Sequence, residues 1–203
     1  MCPVCIRILS NGPRLIEILE RNLGPIRDGF SRDDEGQRLS VPMARFADVP
    51  VRGGSALVTT GLSSHVLRQT GRSIRQELCF AYWAEQGPRN APAMMAHLAA
   101  AALSGHRAYR RGEWIAYGGP VIAGSGLVGV YFAPPFGFPE AIWQVSGPYD
   151  EPVVLVRLIP LLTSEVAICE HRGWTALEEY FEAASPDLLD LTRTDGRGAK
   201  SAG

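Results

Sequence analysis

Residues 153–162 read VVLVRLIPLL, a nearly continuous apolar run in which Arg157 is the one charged residue. A run that is apolar at successive positions, rather than at alternate ones, is typical of a β-strand that is covered on both faces. The run is also shorter than the roughly 18 residues that a membrane-spanning helix needs. The stretch therefore predicts a strand in a sheet that carries other elements on each side.

The residues after this strand predict two helices separated by Gly173. The first helix is predicted over Ser164–His171 and the second over Trp174–Ala183. Thr175 and Glu178 have the spacing of a capping box, in which the two side chains satisfy free backbone N–H groups at the start of a helix.

The earlier part of the chain predicts two more helices and several strands. Ala56–Leu62 and Ile74–Ala84 are rich in β-forming residues and are predicted to be neighbouring strands. Because the strands between residues 114 and 145 follow one another directly, the helices cannot all connect parallel strands. The sequence predicts an α+β fold with a mixed, mostly antiparallel sheet flanked by helices. The remaining predicted elements are the helices Arg14–Gly24 and Ala91–Leu103 and the strands Arg38–Phe46, Trp114–Tyr117, Leu127–Phe132 and Ala141–Val145.

Length and composition favour a single folded domain. The 203 residues are 46% hydrophobic and 20% charged, which is ordinary for a globular protein. We predict one domain over residues 1–190 and a disordered tail over residues 191–203. No apolar stretch is long enough to span a membrane, and the N-terminus lacks the features of a secretory signal, so we expect a cytoplasmic protein.

Charge and cysteine content exclude several functional classes. The net charge of −1 argues against a nucleic-acid-binding protein, which would carry a basic field. Four cysteines are few for a disulfide scaffold, so reduced thiols are expected. The pair Cys2 and Cys5 lacks the second ligand pair that a structural zinc site needs. We therefore predict no bound metal.

Two short motifs keep an enzymatic alternative open. Gly124–Gly129 reads GSGLVG, the spacing of a dinucleotide-binding loop, but such a loop opens a helix and this one precedes β-forming residues and two prolines. Ser63 and His65 place a hydroxyl near an imidazole without the second glycine of a nucleophile elbow. We predict no catalytic residues and no cofactor. A small-molecule-binding enzyme that uses the Gly124–Gly129 turn or Ser63 with His65 is the alternative.

Five short segments follow one another along the middle of the chain. They are ALVTTGLS at 56–63, RQEL at 75–78, RGEWI at 111–115, LIPLLTSE at 158–165 and RGWTAL at 172–177. In order and spacing they resemble the signatures of the suppressor of fused domain family, with a family-like core over residues 54–181.

The resemblance implies an α+β fold and a non-catalytic function in binding another protein. Animal members of the family look like adaptors that hold a transcription factor by adding a partner strand between two lobes. Bacterial members resemble immunity proteins that neutralise a co-encoded toxin. The chain leaves no room for a second lobe after Phe181, so a partner is expected to bind an edge or a face of one lobe.

The strand predicted over Ile74–Ala84 is the candidate binding edge, because polar residues alternate there with apolar ones. The candidate partner-binding residues are Arg75, Glu77 and Tyr82 on this strand and Trp114 elsewhere in the chain. Trp and Tyr are enriched at the residues that dominate protein interfaces. The alternative is that Arg75 and Glu77 lie on the solvated face of an ordinary strand.

Overall fold

The apolar run at 153–162 forms one strand over its whole predicted length. In the computed structural model, which describes residues 12–32, 36–146 and 151–195, four α-helices and nine strands form an α+β fold, as predicted. In chain order they are α1 (Gly12–Leu23), β1 (Asp28–Arg32), β2 (Arg38–Ala47), β3 (Gly54–Thr59), β4 (Leu67–Gln69), β5 (Arg72–Trp83), α2 (Ala91–Ser104), β6 (Trp114–Ala116), β7 (Leu127–Ala133), β8 (Gln144–Val145), β9 (Val153–Leu162), α3 (Thr163–Arg172) and α4 (Trp174–Ala184).

The strands form one mixed sheet with the order β1-β2-β3-β5-β9-β7-β6. Two short strands lie off this path, since β4 pairs with β5 and β8 pairs with β9. The β5–β9 pair is parallel, and the other pairs of named strands in the described part of the chain are antiparallel. The predicted sheet, mixed and mostly antiparallel, is confirmed.

Helices cover both faces of the sheet. Even-numbered residues of β5, β7 and β9, such as Phe80, Phe132 and Leu158, pack on the side of α2. Odd-numbered residues, such as Cys79 and Ile159, pack on the opposite side, where α1, α3 and α4 supply the cover. The successive apolar residues of β9 are therefore buried on both faces, as the sequence predicted. Among the described residues, no helix is long and apolar enough to cross a bilayer.

Several boundaries differ from the predictions for local reasons. Between the predicted strands Ala56–Leu62 and Ile74–Ala84 the structure has a 3-10 turn (Leu62–Ser64) and the short strand β4. The strand β2 runs through Pro42, whose carbonyl accepts from the Thr60 N–H just beyond the end of β3, so the missing proline N–H falls where the β2–β3 pairing ends. Glu178 caps no helix, because its carboxylate is bound by Arg111 and Tyr131.

The prediction of a disordered tail over residues 191–203 is wrong for residues 191–195. Leu191 is buried, and the Arg193 guanidinium forms a 2.5 Å ion pair with the buried Glu165 carboxylate. Arg193 also donates a 2.8 Å hydrogen bond to the Pro160 carbonyl. Residues 191–195 therefore pack on the domain, whereas 196–203, like Cys2 and Cys5, lie outside the described residues.

The predicted binding edge at Ile74–Ala84 is wrong, because β5 lies between β3 and β9 in the interior of the sheet. Arg75, Glu77 and Tyr82 are all buried. The alternative, in which Arg75 and Glu77 lie on a solvated strand face, is wrong for the same reason. Tyr82 packs in the core against Phe80 at 5.5 Å between ring centroids.

Arg75 and Glu77 instead hold the turn that follows β3. The Glu77 carboxylate accepts hydrogen bonds from the Thr59 hydroxyl at 2.5 Å, the Ser63 hydroxyl at 2.7 Å and the Ser63 backbone N–H at 3.0 Å. Arg75 donates to the Ser63 carbonyl at 2.8 Å. Burial raises the pKa of Glu77, while the hydrogen bonds from these donors favour the ionised form. These hydrogen bonds replace the hydration that the Glu77 carboxylate loses on burial.

We expect Glu77→Gln to destabilise the fold by about 3 kcal/mol, because an amide NH2 would then face groups that donate to the carboxylate. Urea unfolding followed by circular dichroism measures this change. Glu179→Gln, at an exposed position of α4, is the control and should shift the free energy of unfolding by less than about 0.5 kcal/mol. Equal midpoints for the two variants would contradict the assigned role of Glu77.

Candidate protein-binding groove

A concave site lies where β7 ends, between the loop that follows β7 and the helix α4. Its volume is about 410 Å³. We call it the aromatic groove. It is lined by Arg111 from the segment before β6, Tyr131 of β7, Pro134, Phe136 and Trp143 of the loop, Glu178, Phe181 and Glu182 of α4, and Leu188 beyond α4.

Arg157 of β9 fixes the loop that forms one wall of the groove. Its guanidinium donates a 2.7 Å hydrogen bond to the Phe136 carbonyl and lies 4.7 Å from the centroid of the Phe136 ring. Arg157 is buried and forms no salt bridge with any described residue. Burial lowers its pKa. The contacts with Phe136 therefore compensate part of the cost of burying this cation.

Trp143 closes the other end of the same loop. Its indole N–H donates to the Phe138 carbonyl at 3.1 Å. The loop thus has side-chain anchors from two directions, Arg157 in the sheet and Trp143 near β8. Such anchors favour a wall that keeps its shape without a bound partner.

A charged triad forms the floor of the groove. Arg111 binds both carboxylate oxygens of Glu178, at 3.0 and 2.5 Å, and the Tyr131 hydroxyl donates to the same carboxylate at 2.7 Å. Burial alone would raise the pKa of Glu178, but the hydrogen bonds from Arg111 and Tyr131 outweigh it and hold this pKa below its ordinary value of 4.5. Burial and the bond to Glu178 raise the pKa of Tyr131.

Two large apolar side chains are exposed beside this triad. Phe136 is 37% exposed and Trp174 is 38% exposed. The Arg111 guanidinium lies 5.4 Å from the centroid of the Trp174 ring. A Cβ atom on Gly112 would lie 2.7 Å from the Trp174 ring, so a glycine is needed for this close approach.

A second cavity of about 280 Å³ continues the groove along the sheet end. It shares Arg111, Pro134 and Trp143 with the aromatic groove. The buried Gln76 side chain holds its far wall, donating to the Tyr109 carbonyl at 2.8 Å and accepting from the Tyr109 N–H at 3.0 Å. The two cavities together form an elongated depression.

Of the four predicted partner-binding residues, Trp114 alone lies in a position to meet another molecule. It is half-buried on β6, the strand at one end of the sheet order, and lines a smaller depression of about 230 Å³. Arg75, Glu77 and Tyr82 line none of the cavities described here. Their interaction with a partner stays a prediction that burial disfavours.

The motifs of the enzymatic alternative are not arranged for chemistry. The Ser63 hydroxyl is buried and donates to Glu77, whereas His65 is exposed. Gly124–Gly129 leads into β7 rather than into a helix, so it lacks the N-terminal helix dipole that would hold a pyrophosphate. A Cβ on Gly129 would lie 2.8 Å from the Val166 side chain, which explains this glycine by the packing of α3 on β7.

Sequence reasoning missed the loop residue Phe136, and it placed Trp143 in a strand predicted over Ala141–Val145, of which β8 keeps Gln144–Val145 after a 3-10 turn at Glu140–Ile142. The available signal was a stretch of aromatic residues among prolines and glycines, PPFGFP at 134–139, because loops often carry binding residues on a rigid scaffold. Glu178 was assigned to a helix cap by its spacing from Thr175. Its true partner, Arg111, is 67 residues away, and no local pattern reveals that pairing.

The Glu178 triad predicts a loss of stability in acid. Because folding lowers the pKa of Glu178, the stabilisation is fully present above pH 4.5 and is lost as the pH falls through the lower folded-state pKa. Glu178→Gln should cost about 1 kcal/mol at pH 7 and should flatten the decline of stability below pH 4.5. Unfolding free energies of both proteins between pH 7 and pH 3 measure this. Parallel pH profiles would contradict the assignment.

Solved structures share this fold. A protein described as a SUFU (suppressor of fused protein) homologue from Neisseria gonorrhoeae superposes with a TM-score of 0.67 at 17% identity, over 91% of this chain and 95% of that one. A chain of the Sufu-Fu complex gives 0.65 at 13% identity, with 88% of each chain covered. Drosophila Suppressor of Fused gives 0.65 at 14% identity, over 89% of this chain and 49% of that one. At these identities the likeness shows the fold alone.

The sequence itself shows the family. No curated protein matches the chain. The family model of the Suppressor of fused protein (SUFU) matches residues 38–194, well over half of the 203 residues. The matched range includes the segments that form the aromatic groove, from Arg111 to Leu188. The chain belongs to the Suppressor of fused protein (SUFU) family.

Proposed function

We propose that this chain is a non-catalytic module that binds another protein through the aromatic groove. The observation that carries the proposal is the exposure of two aromatic side chains at the groove: Phe136 lines the cavity together with Arg111, and the Trp174 ring lies 5.4 Å from the Arg111 guanidinium. Large exposed aromatic side chains around a cleft are typical of interaction sites. One solved structure with this fold is that of the Sufu-Fu complex, which supports a protein as the partner.

The composition of the groove suits a protein partner. Trp, Tyr and Arg are the residue types that contribute most to interface affinity when they surround a desolvated centre. Trp143, Tyr131 and Arg111 all line this cavity. The apolar wall supplies binding area, and the charged floor orients the bound segment.

The groove is also prepared for binding before a partner arrives. Arg157 holds Phe136, and Glu178 holds Arg111 in a bidentate geometry. A wall that is already ordered loses less conformational entropy on binding, so more of the contact energy remains as affinity.

We further place this binding in the cytoplasm and assign the chain the role of an immunity protein or an adaptor, which neutralises or holds its partner. The five ordered segments resemble the signatures of the family, and the resemblance of its bacterial members to immunity proteins supports this role. Co-expression with the product of each neighbouring gene tests it. A neighbouring toxin whose lethality is relieved by the wild-type chain, and less by Phe136→Ala, is the expected result. If no neighbouring product binds or is neutralised, the immunity role is wrong.

A photoreactive phenylalanine analogue at position 136 tests the groove directly. Crosslinking in the cells of origin, followed by mass spectrometry, should yield one dominant protein adduct. The matched control carries the same analogue at position 100, where Ala100 is exposed on α2 across the sheet from the groove. The recovered protein should bind the purified wild-type chain in calorimetry and bind Phe136→Ala at least about tenfold more weakly.

Two outcomes of this crosslinking experiment would count against the groove. An adduct formed equally from positions 136 and 100, or a recovered protein that binds Phe136→Ala as tightly as wild type, would refute the groove as the binding site. Circular dichroism and the thermal midpoint of Phe136→Ala serve as the folding control: the spectrum should be unchanged, and the midpoint should fall slightly because the ring beside the buried Arg157 is removed.

A further inference from the structure

A negative charge at the groove that no cation neutralises indicates which kind of partner segment the groove accepts. Arg111 offers no free positive charge, because its guanidinium is engaged by Glu178. Glu182, one helical turn further along α4, also lines the groove, is exposed and forms no ion pair with any described residue. The groove therefore carries a net negative charge at its α4 wall.

The opposite wall is apolar. Phe136 and Trp143 come from the loop, and Phe181 and Leu188 complete the pocket beside Glu182. Phe181 and Glu182 both line the same cavity, so the apolar pocket and this carboxylate lie next to each other. A ligand that fills the pocket thus brings its neighbouring residue close to Glu182.

Two other cations near this surface, Arg107 and Arg110, share a single acidic side chain. Arg107 and Arg110 both bind Glu113, each at 2.7 Å. One carboxylate neutralises one of these two arginines, so the cluster keeps a net positive charge, but Arg107 and Arg110 line the neighbouring cavities and not the aromatic groove. Among the charged residues that line the aromatic groove, Arg111 and Glu178 pair with each other, and Glu182 forms no ion pair with a described residue.

We propose that the groove selects a linear segment of its partner in which a large apolar side chain is followed or preceded closely by Lys or Arg. The apolar side chain enters the pocket between Phe136 and Phe181, and the cation pairs with Glu182. The inference rests on the proposed function, since it names the partner chemistry of the same groove. Charge complementarity of this kind sets specificity and association rate more than total affinity.

Selection of a displayed random peptide library on the intact chain tests the proposal. The enriched peptides should carry a Phe, Trp, Leu or Met next to a basic residue. Their affinity for Glu182→Lys should fall by about tenfold at low salt, with a smaller difference at high salt because ions screen the exposed pair. Glu179→Lys, which makes the same charge change on an exposed position outside the groove lining, should bind within about twofold of wild type.

Three results would overturn the inference. Peptide binding by Phe136→Ala shows whether the charge rule alone is wrong or the proposed groove is wrong as well. If Phe136→Ala abolishes peptide binding while Glu182→Lys and Glu179→Lys behave alike, the groove binds peptides but the charge rule is wrong. Enriched peptides with acidic or uncharged flanks also overturn the rule alone. If no enriched peptide depends on Phe136, the proposed groove and the charge rule both fail.

Discussion

The parallel pairing of β5 with β9 joins the two halves of this sheet. On one side of it, β1, β2, β3 and β5 form an antiparallel run, and on the other side β9, β7 and β6 form a second one. The pairing sets Cys79 beside Arg157. The groove is held from both halves, because Arg157 of β9 supports the loop at Phe136 while Gln76 of β5 holds Tyr109, two residues before Arg111. Its shape therefore depends on the junction of these two strands.

Buried charges in this fold serve to hold irregular segments. Glu77 binds the turn after β3, Arg157 binds the loop after β7, and Glu165 binds Arg193 beyond α4. A charge removed from water is tolerated only when hydrogen bonds replace its hydration. Irregular backbone supplies N–H and C=O groups that no neighbouring strand satisfies. The buried charged side chains and the irregular backbone therefore satisfy each other's hydrogen-bonding groups. These bonds give the loops a fixed geometry that hydrophobic packing alone would not specify.

Sequence patterns predicted the elements whose cause is local. The apolar run of β9 and the all-round apolar helix α2 follow from their own residues, and both have the predicted bounds to within one residue. The binding edge could not be found in this way. Alternation of polar and apolar residues in β5 suggested a surface, but the partners of Glu77 are Thr59 and Ser63, which come from other elements. The groove could not be predicted for the same reason, because its lining comes from segments between Arg111 and Leu188 that meet only after folding.

The proposed recognition of side chains in the groove suits this structure better than strand addition at β6 does. Tyr117 donates to the Val128 carbonyl and the Glu113 carbonyl accepts from Phe132, so odd-numbered residues of β6 face β7. In this three-residue strand only Trp114 and Ala116 direct their backbone groups outward, which gives few hydrogen bonds and little specificity. In contrast, Phe136 and Glu182 line the groove from exposed positions outside the sheet, so they can change with little effect on it. The same scaffold can therefore carry different partner specificities, and the partner must be sought in the chemistry of the groove.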